Sequence, residues 1–349
     1  NNGFRPRWRG DRPKESSVRP MQIALTGDVM LGRMVDQEVI RNQSLRPEAV
    51  WGDVLPILLA ADLRVINLEC VISARGREWR PQSKAFHFRA HPRAIDCIKS
   101  ASIDAVTLAN NHVLDYGAEA LLDCLGLLDR AGITHAGAGR NLATAMEPAF
   151  LSSTGSRVAV LALTDNEPDW EAADVKPGVV YVAYARSGLK EPYRARVVDA
   201  IKRSRSHAGL VLVSAHVGPN WGAPSGEMRA LARELLDLGA DFYWGHSNHS
   251  PQGIELYHGK AILYSSGDFI DDYMVDENER NDLSFLFVLD VEPGRVARIR
   301  LHPVRIEHCR VRLARHQDAL FLQKTMQAKC AALGTPIAFH DGVGSVTIG

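Results

Sequence analysis

The chain has 349 residues, enough for one large domain or two modest ones. Lys and Arg together number 41, as do Asp and Glu, so overall charge argues against a nucleic-acid partner and against an anionic membrane surface. No run of about 18 apolar residues occurs, so no spanning helix is expected, and the scattered Cys70, Cys97, Cys124, Cys309 and Cys330 read as reduced core thiols of a cytoplasmic protein, not a disulfide framework.

Residues 1–20 hold six basic and two acidic residues without apolar periodicity, and read as a disordered basic arm or a tag. A single domain is expected over 21–349. Gln22–Thr26 is a short apolar strand that runs into Gly27-Asp28-Val29-Met30-Leu31. Helical sequence around residues 54–59 leads to a second strand at 63–66, which ends at Asn67-Leu68-Glu69. A third, at 104–109, ends at Asn110-Asn111-His112, where αL geometry at the two asparagines is the plainer explanation. A helix over 117–131 follows, with Leu121, Leu122, Cys124, Leu125 and Leu128 at helical spacing and Gly132 as its stop. The alternation predicts a mostly parallel sheet covered on both faces.

The strand at 158–163 opens an irregular stretch over 165–190, a candidate lid or substrate wall containing Trp170. The strand at 209–215 delivers His216, followed by Asn220 and Trp221. Ser225 caps a helix carrying Met228, Leu231, Leu235 and Leu238. The strand at 241–244 ends in Gly245-His246-Ser-Asn-His249. Hairpins are expected about His258-Gly259 and Glu292-Pro-Gly294, and a last helix over 317–332.

Asp28, Glu69, Asn111, His112, His216, His246 and His249 thus sit at the ends of five apolar strands. Ligands bind there in open α/β sheets, and carboxylate, amide oxygen and imidazole are groups that Zn²⁺, Mn²⁺ or Fe accepts. On these segments, in this order, the sequence resembles the CapA family, named for a poly-γ-glutamate capsule protein, within the calcineurin-like metallophosphoesterase superfamily. The resemblance covers about residues 21–345. It implies an α/β fold, a four-layer α/β/β/α sandwich of the metallophosphoesterase type. It also implies one or two divalent metals on Asp28, Glu69, Asn111, His216, His246 and His249, with His112 protonating the leaving group. The sequence departs from the wider superfamily at three places. Met30 stands where a histidine ligand is usual, the second motif is Asn-Leu-Glu, and His246 and His249 are three apart.

Three functions are compatible with this pattern. The first is metal-dependent hydrolysis of an anionic ester or amide, with a poly-γ-glutamate or peptide type substrate. The second is metal-independent epimerisation of a peptide, with no metal and with Asp28 facing His112 or His249 as the acid/base pair. The third is non-catalytic binding of a capsule polymer. Lys84, His87 and Arg89 would then hold carboxylates, although their alternation with Phe86 and Phe88 also describes a solvated strand face. Asn220 and Trp221 are candidates for the substrate wall.

Overall fold

The computed structural model describes residues 19–80 and 84–349. Most of the proposed basic arm lies outside the described residues; at its end Arg19 forks onto the Asp62 carboxylate at 2.7 and 3.0 Å. Two sheets carry the fold. In the larger, Met21–Val29, Leu63–Leu68, Ala105–Thr107 and Thr134–Ala136 run parallel in that spatial order. On its other side the first strand pairs antiparallel with Leu283–Glu292 as far as Leu25, then takes up Asp268–Ile270 as a parallel neighbour at Asp28. Arg295–Glu307 and the C-terminal strands extend that edge. The smaller sheet places Ser156–Thr164, Leu210–His216, Phe242–His246 and Lys260–Leu263 side by side and parallel, with an antiparallel strand at each edge.

Side-chain alternation along the strands divides the protein into layers. Ile23, Leu25 and Val65 meet Val158, Val160, Leu212, Phe242 and Trp244 in one core between the sheets. Ala24, Ile66 and Val106, one position out of phase, face Leu58, Ile98, Leu121, Cys124 and Leu128 from the helices Leu55–Ala60, Ala94–Ser100 and Gly117–Ala131. Ala159, Val211, Val213 and Tyr243 face Val197 and Ile201 of Tyr193–His207, and Leu231 and Leu235 of Gly226–Asp237. The order is helices, sheet, sheet, helices: the α/β/β/α sandwich. The five cysteines are free thiols. Among the described residues no helix is long and apolar enough to cross a membrane.

Several local expectations hold. Gly132 ends its helix at φ 71, Ser225 Oγ accepts the Met228 N–H, and His258-Gly259 turn with both φ positive. Others do not. Leu122 is exposed, because it falls on the solvent side of its helix. The stretch from Lys84 to Phe88 is not a strand; only Arg89–Ala90 pair, with Val71–Ile72. Neither Asn110 nor Asn111 adopts positive φ. The 110–113 turn is instead closed by Asn110 Oδ1, which accepts the N–H groups of His112 and Val113.

Candidate active site

The carboxyl ends of the parallel strands in both sheets open at the same edge of the sandwich. Asp28 is paired in register with Asn67 on one side and Asp268 on the other. His216 is in register with His246 in the facing sheet. Close approach at this edge requires Gly27, where a methyl group would collide with the Gly267 carbonyl, to which the Asp28 N–H donates at 2.8 Å.

Asp28 is 1% exposed. Asn67 Nδ2 donates to its Oδ1 at 2.7 Å and also faces His216 Nδ1 at 3.3 Å. His246 Nδ1 lies 2.8 Å from the same Asp28 oxygen, off the hydrogen-bond axis, and neither His246 nitrogen has a hydrogen-bond partner among the described residues. His216 Nε2 is 3.7 Å from Glu69 Oε1, and His112 Nε2 is 4.0 Å from it. Asp28, Glu69 and His216 each offer a ligand atom within 4.8 Å of the others. Ligands about 2.1 Å from a tetrahedral Zn²⁺ sit roughly 3.4 Å apart, so small inward shifts would close the three around an ion. The buried amide oxygen of Asn111 at the pocket wall also has no partner among the described residues. Buried polar atoms are seldom left so, and this donor set fits one divalent cation. A second position is poorer. Met30 turns into the helix-side core, its Sδ accepting the Gly32 N–H at 3.0 Å, and His249 Nδ1 is engaged by Asp268 Oδ1 at 2.9 Å.

The electrostatics follow from burial and from four acids in one place. Burial pushes Asp28 up, but His246, His216 and the Asn67 amide overcome it and hold the carboxyl well below the usual range. Glu69 is driven well above its ordinary value by burial and by the charges of Asp28, Asp268 and Asp271. A bound cation would offset that repulsion. Burial lowers His216 to about 3, and with Lys84 and His249 nearby holds His112 well below its usual value, so both imidazoles are neutral. His112 is clamped by Asp115 Oδ2 at 2.6 Å from Nδ1 and by the Phe88 ring stacked at 3.8 Å. Burial pushes Asp115 itself up to about 7.

His249 is the exception. Burial opposes its charge, yet Asp268 raises it to about 9. Burial raises Asp268 as well, so the pair retains one proton across neutral pH. A histidine whose folded value lies above its unfolded value adds stability below the unfolded value near 6.5 and loses it as pH rises through about 9. In EDTA, the melting temperature is therefore expected to fall between pH 7 and 9.5. Asp268→Asn should flatten that slope, and an unchanged slope would count against the shared proton.

The pocket in front of these groups has a volume of about 480 Å³ and is lined by Glu69, Asn111, His112, His216, His249 and Tyr273. Phe86, Trp221 and Met274 form a partly exposed apolar rim. Asn220 and Trp221 border the pocket, the Trp221 ring 5.3 Å from His249. Lys84 lines it too, but its ammonium is committed to the Asn111 carbonyl, to Glu167 Oε1 at 3.1 Å and to Asp115 Oδ1 at 3.3 Å, so it shapes the wall and holds no free charge for substrate. Arg89 does not line this pocket; it lies in a neighbouring cleft with its guanidinium 4.1 Å over the Tyr116 ring. Trp170 is core, edge-on to Trp79 at 5.1 Å.

Sequence reasoning passed over Asn67, Asp115, Asp268 and Tyr273. Two were detectable: Asn67 shares the Glu69 face by strand alternation, and Asp115 stands three residues after His112 on a turn. Asp268 reaches the site through pairing with Asp28 across 240 residues, and nothing local announces that.

Comparison with known proteins identifies the family. The family model described as bacterial capsule synthesis protein PGA_cap matches residues 22–273. A probable polyglutamine synthesis accessory protein of Mycobacterium tuberculosis is 31% identical over 87% of this chain and 90% of that protein. The PGA biosynthesis protein CapA of Bacillus subtilis is 27% identical over 72% of this chain and 63% of its own length, and the capsule biosynthesis protein CapA of Bacillus anthracis is 28% identical over 74% and 62%. The matched residues include every strand end that meets at the cleft, and the chain belongs to the bacterial capsule synthesis, or PGA_cap, family of CapA-like proteins.

Proposed function

We infer that this protein is a hydrolase that uses one divalent cation to cleave an ester or amide bond in an anionic peptide-like chain, of the polyglutamate kind that the resemblance to the CapA family implies; its relatives are named for polyglutamine synthesis and PGA biosynthesis. The observation that carries the reading is the buried set of Asp28, Glu69 and His216, with the Asn111 amide oxygen and both His246 nitrogens unpartnered beside it. Asp28, Glu69 and His216 would hold the ion, with Asn111 and His246 completing its surroundings. Such an ion polarises the scissile group and lowers the pKa of water. His112 supplies proton transfer. It rests as the neutral imidazole, with Asp115 fixing Nδ1, so Nε2 is free to take a proton from the attacking water. The same proton passes to the departing oxygen or nitrogen, and Asp115 stabilises the transient imidazolium. Phe88 and the Lys84 clamp hold the ring in place during the transfer.

The test is elemental analysis of protein purified without chelator, together with turnover of γ-glutamyl oligomers before and after EDTA. One equivalent of metal is expected, with activity lost in EDTA and restored by Mn²⁺ or Zn²⁺. A second reading, peptide epimerisation without metal, is favoured by one observation: a neutral His112 and a protonated His249 line one pocket, supplying the base and the acid that inversion at a Cα–H needs. Deuterium exchange at a peptide Cα in D₂O with EDTA present would establish that reading and dismiss hydrolysis.

A further inference from the structure

A second cleft, of about 810 Å³, opens beside the pocket, and its walls include Arg33, Arg41, His87, Arg89 and Tyr116. Arg33 lines both spaces. Its backbone is held at φ 52, a conformation that non-glycine residues adopt at a cost, and its guanidinium lies 5.5 Å over Phe86 and 5.8 Å over Phe88, the ring that stacks on His112. Three guanidinium groups line this cleft against one lining carboxylate, Asp36. Arg33 pairs with Asp272 at 3.4 Å and Arg41 with Asp36 at 3.7 Å, each keeping an exposed edge, and Arg89 makes no ion pair among the described residues. Asp36, the carboxylate of the cleft, is turned inward and accepts the His91 N–H at 2.8 Å.

We propose that this cleft is a subsite for an oligocarboxylate chain, holding the carboxylates of substrate units that extend from the reacting unit in the pocket, with Arg33 at the junction. The idea rests on the substrate class inferred above and adds where the rest of that substrate lies. Guanidinium groups match carboxylates with a two-pronged fork. Three of them along a space this size suit a repeating anion; one small anion would fill a fraction of it. The exposed rims of Arg41 and Arg33 also make the attraction salt-dependent.

The experiment is fluorescence anisotropy with labelled γ-linked hexaglutamate, in EDTA, at low and at 300 mM salt. Wild type should bind at low salt and weaken at least fivefold at high salt. Arg41→Ala with Arg89→Ala should weaken binding tenfold or more, and Arg312→Ala, which lines separate clefts, should leave it unchanged. If the double variant does not fold, Arg41→Glu alone, at an exposed side chain, should give at least a threefold loss. No binding by wild type up to 1 mM, wild-type affinity in the folded variants, or equal affinity for a hexathymidylate of similar charge would each overturn the assignment. Binding is read without metal or turnover, so failure of the hydrolysis reading shows only in the EDTA activity assay and leaves this result standing.

Discussion

Replacing Asp28 by Ala is expected to strip the purified protein of its metal and to lower kcat/KM by a thousandfold or more. Asp28 is the group to which both sheets converge: Asn67 donates to it from one side, His246 presses on it from the other, and the Ser247 N–H reaches its second oxygen at 3.3 Å. Removing the carboxylate takes away a ligand and leaves the Asn67 amide and the His246 imidazole facing an empty space. Asp28→Asn is the sharper variant. An amide oxygen can still face a cation, but the group cannot take a proton near neutral pH. Under the hydrolase reading this variant retains partial metal, and added Mn²⁺ raises its activity. Metal content measured beside activity separates the cases, and Asp28→Ala that keeps one equivalent of metal would remove the central element of the proposed site.

The second large effect lies one residue pair away from the chemistry. Trp244 is fully buried between the sheets, its Nε1 donating to Ser266 Oγ at 2.8 Å and to the Thr26 carbonyl at 3.2 Å. It therefore fastens the smaller sheet to the strand that carries Asp28, and its ring lies 4.3 Å from His246. Trp244→Ala should cost about 3–5 kcal/mol through the cavity and the lost bonds. For a chain this long that is a fall of roughly 5 °C or more in melting temperature. Trp244→Phe restores most of the volume but leaves its acceptors unpaired, so it should recover only part of the loss. A Trp244→Ala protein that melts like wild type would show that the sheets are held together elsewhere.

Much of this architecture was readable from local pattern. A run such as Leu210–Ala215 followed by His216 announces both a buried parallel strand and a functional end, because the same burial that makes the strand apolar leaves only its terminus free for chemistry. The helix after His112 was readable to the residue because its period and its stop at Gly132 agree. The loop from Lys84 to Arg89 was not. Its alternation of charged and aromatic residues imitates a strand, whereas the side chains serve separate tasks: Lys84 ties two loops together, Phe88 supports His112, and Arg89 faces another cleft. Those tasks are set by partners far along the chain, Asp115 and Glu167 among them, and periodicity carries no information about them. The protonation of His249 was hidden for the same reason, since it depends on Asp268.

The division of the site between two sheets has a mechanical consequence. Asp28 and Glu69 ride on one jaw, His216 and His246 on the other, and each jaw is stiffened by its own ladder of backbone hydrogen bonds. Sheets packed face to face stand about 10 Å apart, a distance fixed by the side chains between them. The bite at the mouth is therefore gauged by Ile23, Leu25, Phe242 and Trp244, none of which lines the pocket. Thinning that spacer draws the jaws together and suits a small ion; thickening it suits a larger one. The calibre of the cleft, and with it the size of ion that the proposed centre would accept, is set by the hydrophobic filling behind it.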